Sequence, residues 1–235
     1  MTSTPHSVSE RKQEQYTIER LEPGLSRLFL SCMLVLFSGY IDSIGYLQMG
    51  KVYLSFMSGN STKLGIALFQ GEYATIIHIG LVILLFVTGA FLGTLITDQF
   101  VKNKVAVVLG VEVLLFISAI ILELLHQQQE VLFPIAIAMG MQNTLHQMVS
   151  HVDVGKGFVS GVLFGVGQAL AKCVRKKAAA AESFILALSW FAFVIGAALG
   201  AWLLFYTSLL SVLIISVFFL IVLIPYVLYI QRQLT

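Results

Sequence analysis

The residues best suited to chemistry in this chain are single polar side chains within long apolar stretches. Asp42 lies near the end of the first stretch, in the segment GYIDSIGYL. An ionised carboxylate in hydrocarbon costs about 2.5 to 3.5 kcal/mol on insertion scales, so other groups must compensate it. Asp42 is therefore either a site for a proton or cation, or a structural group that accepts hydrogen bonds from unpaired N–H groups at the start of a short helix.

A second polar group, Ser58-Gly59-Asn60, begins a short predicted helix, and Ser160 begins another. Ser58 or Asn60 can cap the first helix, and Gly59 permits close backbone approach. Two short helices whose N-termini point to a common centre would also form a binding site for an anionic group, with Lys63 one turn further on. Alternatively, Lys63 neutralises Asp42 or Glu112, or its stem extends to the membrane interface.

A third polar group follows in the second half of the chain. Gln142 and His146 are four residues apart and share a helical face, with Asn143 beside them. Polar side chains in lipid face the protein interior, so these residues either contact a substrate or form interhelical hydrogen bonds. His151 does not extend them to a metal site, because a five-residue histidine spacing does not place both rings on one helix face.

Glu112 lies inside a predicted span, more than a turn from either end. It is, with Asp42, a candidate for a proton relay, unless it pairs with Lys63. The chain has no HExxH, GxSxG or Cys-x-x-Cys motif and no phosphate-binding loop. The sequence therefore predicts a protein that is not an enzyme and uses no cofactor.

Composition places these residues in a membrane protein. Of the 235 residues, 58% are hydrophobic and only 11% are charged, whereas soluble domains carry roughly 25% charged residues. Mean hydropathy is +0.91. Residues 1–26 are polar and lack the apolar core of a cleavable signal peptide, so we interpret them as a retained cytoplasmic tail. The two cysteines do not indicate a disulfide framework.

Six segments are apolar over about the 20 residues that a spanning helix needs. They are 28–47, 74–96, 105–125, 131–149, 183–205 and 209–230.

Two shorter segments, 56–69 and the glycine-rich 157–174, decide the topology. If both cross the membrane, the chain has eight spans and its basic residues are divided between the two sides. If both are re-entrant, it has six spans, and all basic residues except Lys51 and Lys63 lie on the side of the termini. The positive-inside rule favours this all-helical bundle of six spans with two re-entrant helices and both termini cytoplasmic; eight spans are the alternative.

Four sequence matches in register indicate an internal repeat, which divides the membrane part into 27–125 and 126–235. The offset is 101 to 107 residues: GYID at 39–42 recurs as GMQN at 140–143, FMSGN at 56–60 as FVSGV at 158–162, GIAL at 65–68 as GQAL at 167–170, and FVTGAFLG at 86–93 as FVIGAALG at 193–200. With three crossings in each half, the second half is inverted relative to the first, as in many secondary transporters. The glycine stripes of the last match, Gly89 with Gly93 and Gly196 with Gly200, predict close helix packing.

The segments GYIDSIGYL, FMSGNSTKLGIAL and AMGMQN, with the later FVSG, resemble the YoaK family of bacterial membrane proteins. The hallmarks of that family are a GxxDxxG helix, a (T/S)GN motif and a GMQN motif. The resemblance covers about residues 28 to 230; the second motif, Ser160-Gly161-Val162, lacks the hydroxyl expected after its glycine. The resemblance implies a multi-pass inner-membrane protein and brings no activity with it.

The sequence thus predicts a small-solute transporter or permease whose site lies where the two short helices meet. Its rival is a non-transporting membrane scaffold or stress-related protein, in which the same polar residues only hold helices together. The lipid bilayer and a small-molecule or ionic substrate are the expected partners. Nucleic acid is not among them, and a homo-oligomer is left open.

Overall fold

The structure, a computed structural model, describes residues 8–100, 103–127, 129–145, 147–149, 152–154, 159–174 and 180–233. Its elements in chain order are α1 (Val8–Gln48), α2 (Met57–Gln70), α3 (Tyr73–Gln99), α4 (Lys104–Leu124), α5 (Leu132–Gln142), β1 (Gln147–Val149), β2 (Val152–Val154), α6 (Val159–Val174), α7 (Ala180–Tyr206) and α8 (Leu209–Gln233). The helical architecture is confirmed. The only departure among these ranges is the short antiparallel pair β1–β2, in which Met148 lies opposite Asp153.

Five helical segments are long and apolar enough to cross a membrane: Gly24–Gln48, Tyr73–Gln99, Lys104–Leu124, Ser183–Tyr206 and Leu209–Arg232. They coincide with five of the six predicted spans. Large apolar side chains such as Phe91, Trp202 and Phe218 are exposed on their outer faces. A contiguous apolar exterior of this kind is stable in lipid, where the backbone polar groups are satisfied within the helices. The chain therefore has the architecture of a membrane-spanning helical protein.

The prediction of a spanning helix over 131–149 was wrong. Helix α5 has 11 residues and ends at Gln142, so it is roughly 16 Å long, about half the hydrocarbon thickness. The Asn143 amide donates to the Met139 carbonyl at 2.9 Å, and the Thr144 hydroxyl donates to the Met141 carbonyl at 2.7 Å. These bonds add to the backbone N–H bonds that the same two carbonyl groups accept at the end of the helix. The chain continues into β1, which lies against α1.

The two short helices, α2 and α6, lie within two residues of their predicted positions. After α2 the chain returns to the end of α1. Helix α2 ends at Gly71, whose left-handed backbone (φ 69°) turns the chain directly into α3. His78, in the second turn of α3, lies with its Nε2 3.3 Å from the Met49 carbonyl oxygen, just beyond α1. The start of α3 therefore lies beside the end of α1.

Helices α1 and α7 form the most extensive contact in the molecule and cross at glycine. A methyl group at Gly39 would overlap the backbone carbonyl of Phe193, and one at Gly196 would overlap the carbonyl of Leu36. Further along both helices, Gly200 approaches the Tyr40 carbonyl. Because later residues of one helix meet later residues of the other, the two helices run parallel.

Helices α3 and α5 cross in the same way. Gly140 lies against the Phe86 carbonyl and Gly89 against the carbonyl of Ile137, while Gly93 approaches Met141. The predicted role of the glycine stripes in close packing is confirmed. Each residue at this crossing has a counterpart at the α1–α7 crossing that lies 101 or 107 residues away in the sequence, which is the offset of the internal repeat. The two helix pairs therefore have matching contacts.

Helix α1 lies at the centre of the bundle. In the most apolar stretch of α1, 72% of the residues are buried, whereas the corresponding share in the other four long helices is 22% to 33%. The Phe37 ring of α1 packs on Phe116 of α4 and stacks on Phe219 of α8, with centroids 5.5 and 5.2 Å apart. Residues of α1 are therefore positioned by helices from both halves of the chain.

Candidate functional site

A cleft of about 450 Å³ opens between α1 and α7, where the segment after α1 and the first turn of α6 also meet. It combines residues from both halves of the sequence. Its lining consists of Asp42, Ser43, Tyr46 and Leu47 of α1, Tyr53 and Phe56 of the following segment, Val159 and Ser160 of α6, and Phe193, Ala197 and Ala201 of α7. The structure thus brings two predicted site residues, Asp42 and Ser160, to one cavity.

Asp42 is 3% exposed, and its carboxylate is held by donors of the segment between α1 and α2. Its Oδ1 accepts the backbone N–H groups of Leu54 and Ser55, both at 2.6 Å. Its Oδ2 accepts the Ser55 hydroxyl at 2.7 Å. These bonds supply the compensation that a buried carboxylate requires. These donors precede helix α2, whereas the structural alternative predicted for Asp42 had them in the first residues of that helix.

Asn60 is fully buried and also holds this segment. Its Nδ2 donates to the Tyr53 carbonyl at 2.6 Å, and the Tyr53 N–H donates to its Oδ1 at 2.9 Å. The amide thus pairs both backbone groups of one residue. Asn60 does not line the cleft itself, but it fixes Tyr53, which does.

The prediction that Ser58 or Asn60 caps α2 was wrong. The helix begins at Met57, so Phe56 occupies the capping position and no side chain caps the helix. Ser58 then lies in the first turn and is exposed. A Cβ at Gly59 would come within 2.7 Å of the Phe56 ring and 2.9 Å of the Tyr53 ring, so the glycine is required by side-chain packing.

Lys63 contacts aromatic rings and a backbone carbonyl, and neither of the carboxylates suggested as partners. Its Nζ donates to the Lys51 carbonyl and lies 4.8 Å from the Tyr46 ring centroid and 5.4 Å from that of Tyr53. Partial burial lowers the pKa of the Lys63 ammonium, and the charge of Lys51 lowers it further. Partial burial is also the main cause that raises the pKa of Tyr53.

The polar group of the second half lies apart from the cleft. Gln142 is buried, and its Nε2 donates to the Leu34 carbonyl at 2.9 Å and to the Ser38 hydroxyl at 3.2 Å, which links α5 to α1. Asn143 bonds back to its own helix, as described above. His146, His151 and the side chain of Asp153 fall outside the residues that the structure describes. The expected convergence of Gln142 and Asn143 with Asp42 on one cavity is therefore not seen.

Glu112 is fully buried within α4. Neither of its carboxyl oxygens has a hydrogen-bond partner among the residues that the structure places. It therefore does not pair with Lys63, and it does not line the cleft. A buried carboxyl group without partners is costly, which sets this residue apart from Asp42.

The aromatic lining of the cleft was not predicted from the sequence. Tyr46 could have been found, because it lies four residues after Asp42 and therefore on the same face of α1. Tyr53 and Phe56 lie in a segment without helical periodicity, and Phe193 was assigned only to the repeat. Within the described ranges, no group of three or more His, Cys, Asp or Glu side chains could hold a metal ion.

The long apolar helices define a multi-helix protein of the membrane-spanning class. A family model described as a protein of unknown function (DUF1275) matches residues 30–225, and the chain belongs to this family. No curated protein and no solved structure matches the chain. The described residues that line the cleft all lie within the matched range.

Proposed function

We propose that this protein is a small-solute transporter or permease of the bacterial inner membrane, with its binding site in the cleft between α1 and α7. The observation that carries the proposal is the cleft itself, because its lining includes the buried Asp42 of the first half and Ser160 of the second half. Pockets at the interface of structural repeats, beside short interrupted helices, are where transporters bind their solutes. The chain is on this view not an enzyme and needs no cofactor. The resemblance to the YoaK family agrees with an inner-membrane location.

The proposal includes two inverted repeats, α1–α4 and α5–α8. The matching glycine contacts of the α1–α7 and α3–α5 crossings support it, since each residue at one crossing has its counterpart at the other. The return of α3 to the end of α1 supports three crossings in the first half. An odd number of crossings inverts the second half. In the second half, the 11-residue α5 and the β1–β2 pair take the place of a full spanning helix.

Orientation follows from the distribution of charge. With α2 and α6 re-entrant, Lys51 lies on one side and Lys104, Lys172 and Arg232 lie on the other, together with the basic residues of the N-terminal segment. The positive-inside rule places that second side, and both termini, in the cytoplasm.

The alternative is a membrane scaffold, and one observation favours it. Asp42, Asn60 and Gln142 are all engaged in hydrogen bonds that hold the protein together. A scaffold needs nothing more from them. It does not account for a cleft of about 450 Å³ at the junction of the two halves.

A binding screen with a matched pair of variants tests the proposal. Ala201 lines the cleft, whereas Ala198 lies on the same helix and is exposed outside it. We expect metabolites that raise the unfolding temperature of the purified full-length protein to lose that effect in Ala201→Leu and to keep it in Ala198→Leu. The same compounds should enter proteoliposomes that contain the wild-type protein. If no thermal shift depends on Ala201 and no compound is taken up, the scaffold is correct.

A further inference from the structure

The walls of the cleft carry several aromatic side chains. Four of its lining residues are aromatic, and Tyr46, Tyr53 and Phe56 form a continuous group. The rings of Tyr46 and Tyr53 stack with centroids 5.3 Å apart, and the ring of Phe56 meets that of Tyr53 edge to face, also at 5.3 Å. Aromatic faces carry negative charge density and attract cations within about 6 Å of the ring centre.

The charge of the lining residues also favours a cationic ligand. Asp42 is the one charged residue among the described residues of the wall. Its oxygens are engaged by Leu54 and Ser55, so the carboxylate acts on a ligand through its electric field. Among the described lining residues, the side chains that would donate to an anion are limited to hydroxyl groups. An anionic ligand would therefore meet a carboxylate without a compensating positive side chain among the described lining residues, which disfavours it.

The protein already places a cation on these rings. The Lys63 ammonium lies within 4.8 Å of the Tyr46 centroid and 5.4 Å of the Tyr53 centroid, although Lys63 does not line the cleft. Tyr46 and Tyr53 therefore contact Lys63 of α2 and also line the cleft. A second ammonium on the cleft side would use the same rings.

We propose that the cleft binds a small organic cation, whose ammonium group contacts the faces of Tyr46 and Tyr53 in the field of Asp42, and that Lys63 competes with it for these rings. This inference names the substrate class of the transporter proposed above, and it depends on that function only for the movement of the cation across the membrane.

The test compares three probes of similar size and different charge, namely butylammonium, butanol and butanoate. Binding to the full-length protein in detergent micelles is measured by ligand-observed saturation-transfer NMR, with empty micelles as the blank. We expect butylammonium alone to bind above the blank. Tyr46→Leu should weaken this binding about fivefold, and Lys63→Met, which removes the competing charge, should tighten it about threefold.

Tyr73→Leu is the matched control, since Tyr73 is 79% exposed at the start of α3 and lies outside the cleft. It should leave the dissociation constant unchanged. Equal binding of butanol or butanoate, or equal effects of Tyr46→Leu and Tyr73→Leu, would overturn the cation site. Proteoliposome uptake separates this failure from that of the proposed function. Binding of butylammonium without uptake of any solute refutes transport alone, whereas uptake of neutral or anionic solutes without cation preference refutes the cation site alone.

Discussion

Asp42 and Asn60 direct their hydrogen bonds to the same short segment between α1 and α2. Asp42 binds Leu54 and Ser55, and Asn60 binds both backbone groups of Tyr53. The cost of a polar group in hydrocarbon was sufficient to predict that Asp42 must have partners. It was not sufficient to locate them, because residues 49–56 have no periodicity that would place their backbone.

Replacing Asn60 with alanine removes the partner of two backbone groups at once. We expect Asn60→Ala to lower the free energy of unfolding by about 2 kcal/mol, since an unpaired buried donor or acceptor costs about 1 to 3 kcal/mol. Denaturation in mixed micelles, followed by circular dichroism, would measure the change. Ser58→Ala, at an exposed position of the same helix without a capping role, should change the free energy by less than about 0.5 kcal/mol. Equal effects of the two substitutions would contradict this account.

Glu112 presents the opposite case, a fully buried carboxyl group without partners in the described structure. Glu112→Met keeps the length of the side chain and removes its polar atoms. We expect the free energy of unfolding to rise by about 1 to 3 kcal/mol, because the cost of burying the carboxyl group is removed. The same denaturation assay measures it, with Asp98→Asn at an exposed site as the control. A loss of stability would show that Glu112 has a partner that stabilises the fold.

At the scale of helices, hydropathy and length predicted the five long segments and both short ones to within a few residues. They failed at α5, where the apolar run 131–149 contains Gln142, Asn143 and Thr144. The mean hydropathy of the whole run stays apolar despite these three polar residues. Their polar side chains lie where the helix ends, and those of Asn143 and Thr144 donate to carbonyl groups of its last turn.

The glycine crossings allow a matched test of helix packing. Gly39→Ala and Gly140→Ala place a methyl group against a backbone carbonyl of the facing helix, which cannot move without shifting that helix. We expect each to lower the free energy of unfolding by about 1 to 3 kcal/mol. Gly80→Ala, within α3, meets no atom within 4 Å. It should raise stability by up to about 1 kcal/mol, because alanine favours the helix over glycine. Thermal unfolding of the three variants would reveal any deviation from this order.

The topology of the whole molecule can be tested by the side from which cysteines are labelled. Single cysteines replace Lys51, Glu72 and Asn103 in a background with Cys32→Ala and Cys173→Ser. The proposed six crossings place Lys51 and Glu72 on the same side of the membrane and Asn103 on the other. We expect a membrane-impermeant maleimide to label the first two in intact cells and the third only after permeabilisation. Labelling of Glu72→Cys from the side opposite to Lys51→Cys would establish α2 as a span.

The assembled site could be predicted only in part from the sequence. Asp42 and Ser160 were candidates and meet at one cleft, whereas Gln142 is used to join α5 to α1. Hydropathy and motif matching detect polar residues in apolar surroundings. They do not detect aromatic walls such as Phe56 and Phe193, which look like ordinary apolar positions until helix partners are known. The parallel contact of α1 with α7 supplies that information, and it joins residues far apart in the chain.

The same contact has a consequence for biosynthesis. Gly39 leaves the ribosome about 150 residues before its partner Phe193, which at 5 to 20 residues per second is roughly 8 to 30 s. During that time the groove around Gly39 and the carbonyl groups beside it lack the helix that covers them. The nascent first half must wait in the insertion machinery or in lipid until α7 arrives. Slowing translation between the codons for α4 and α7 should therefore lower the yield of folded protein more than the same delay placed after α7.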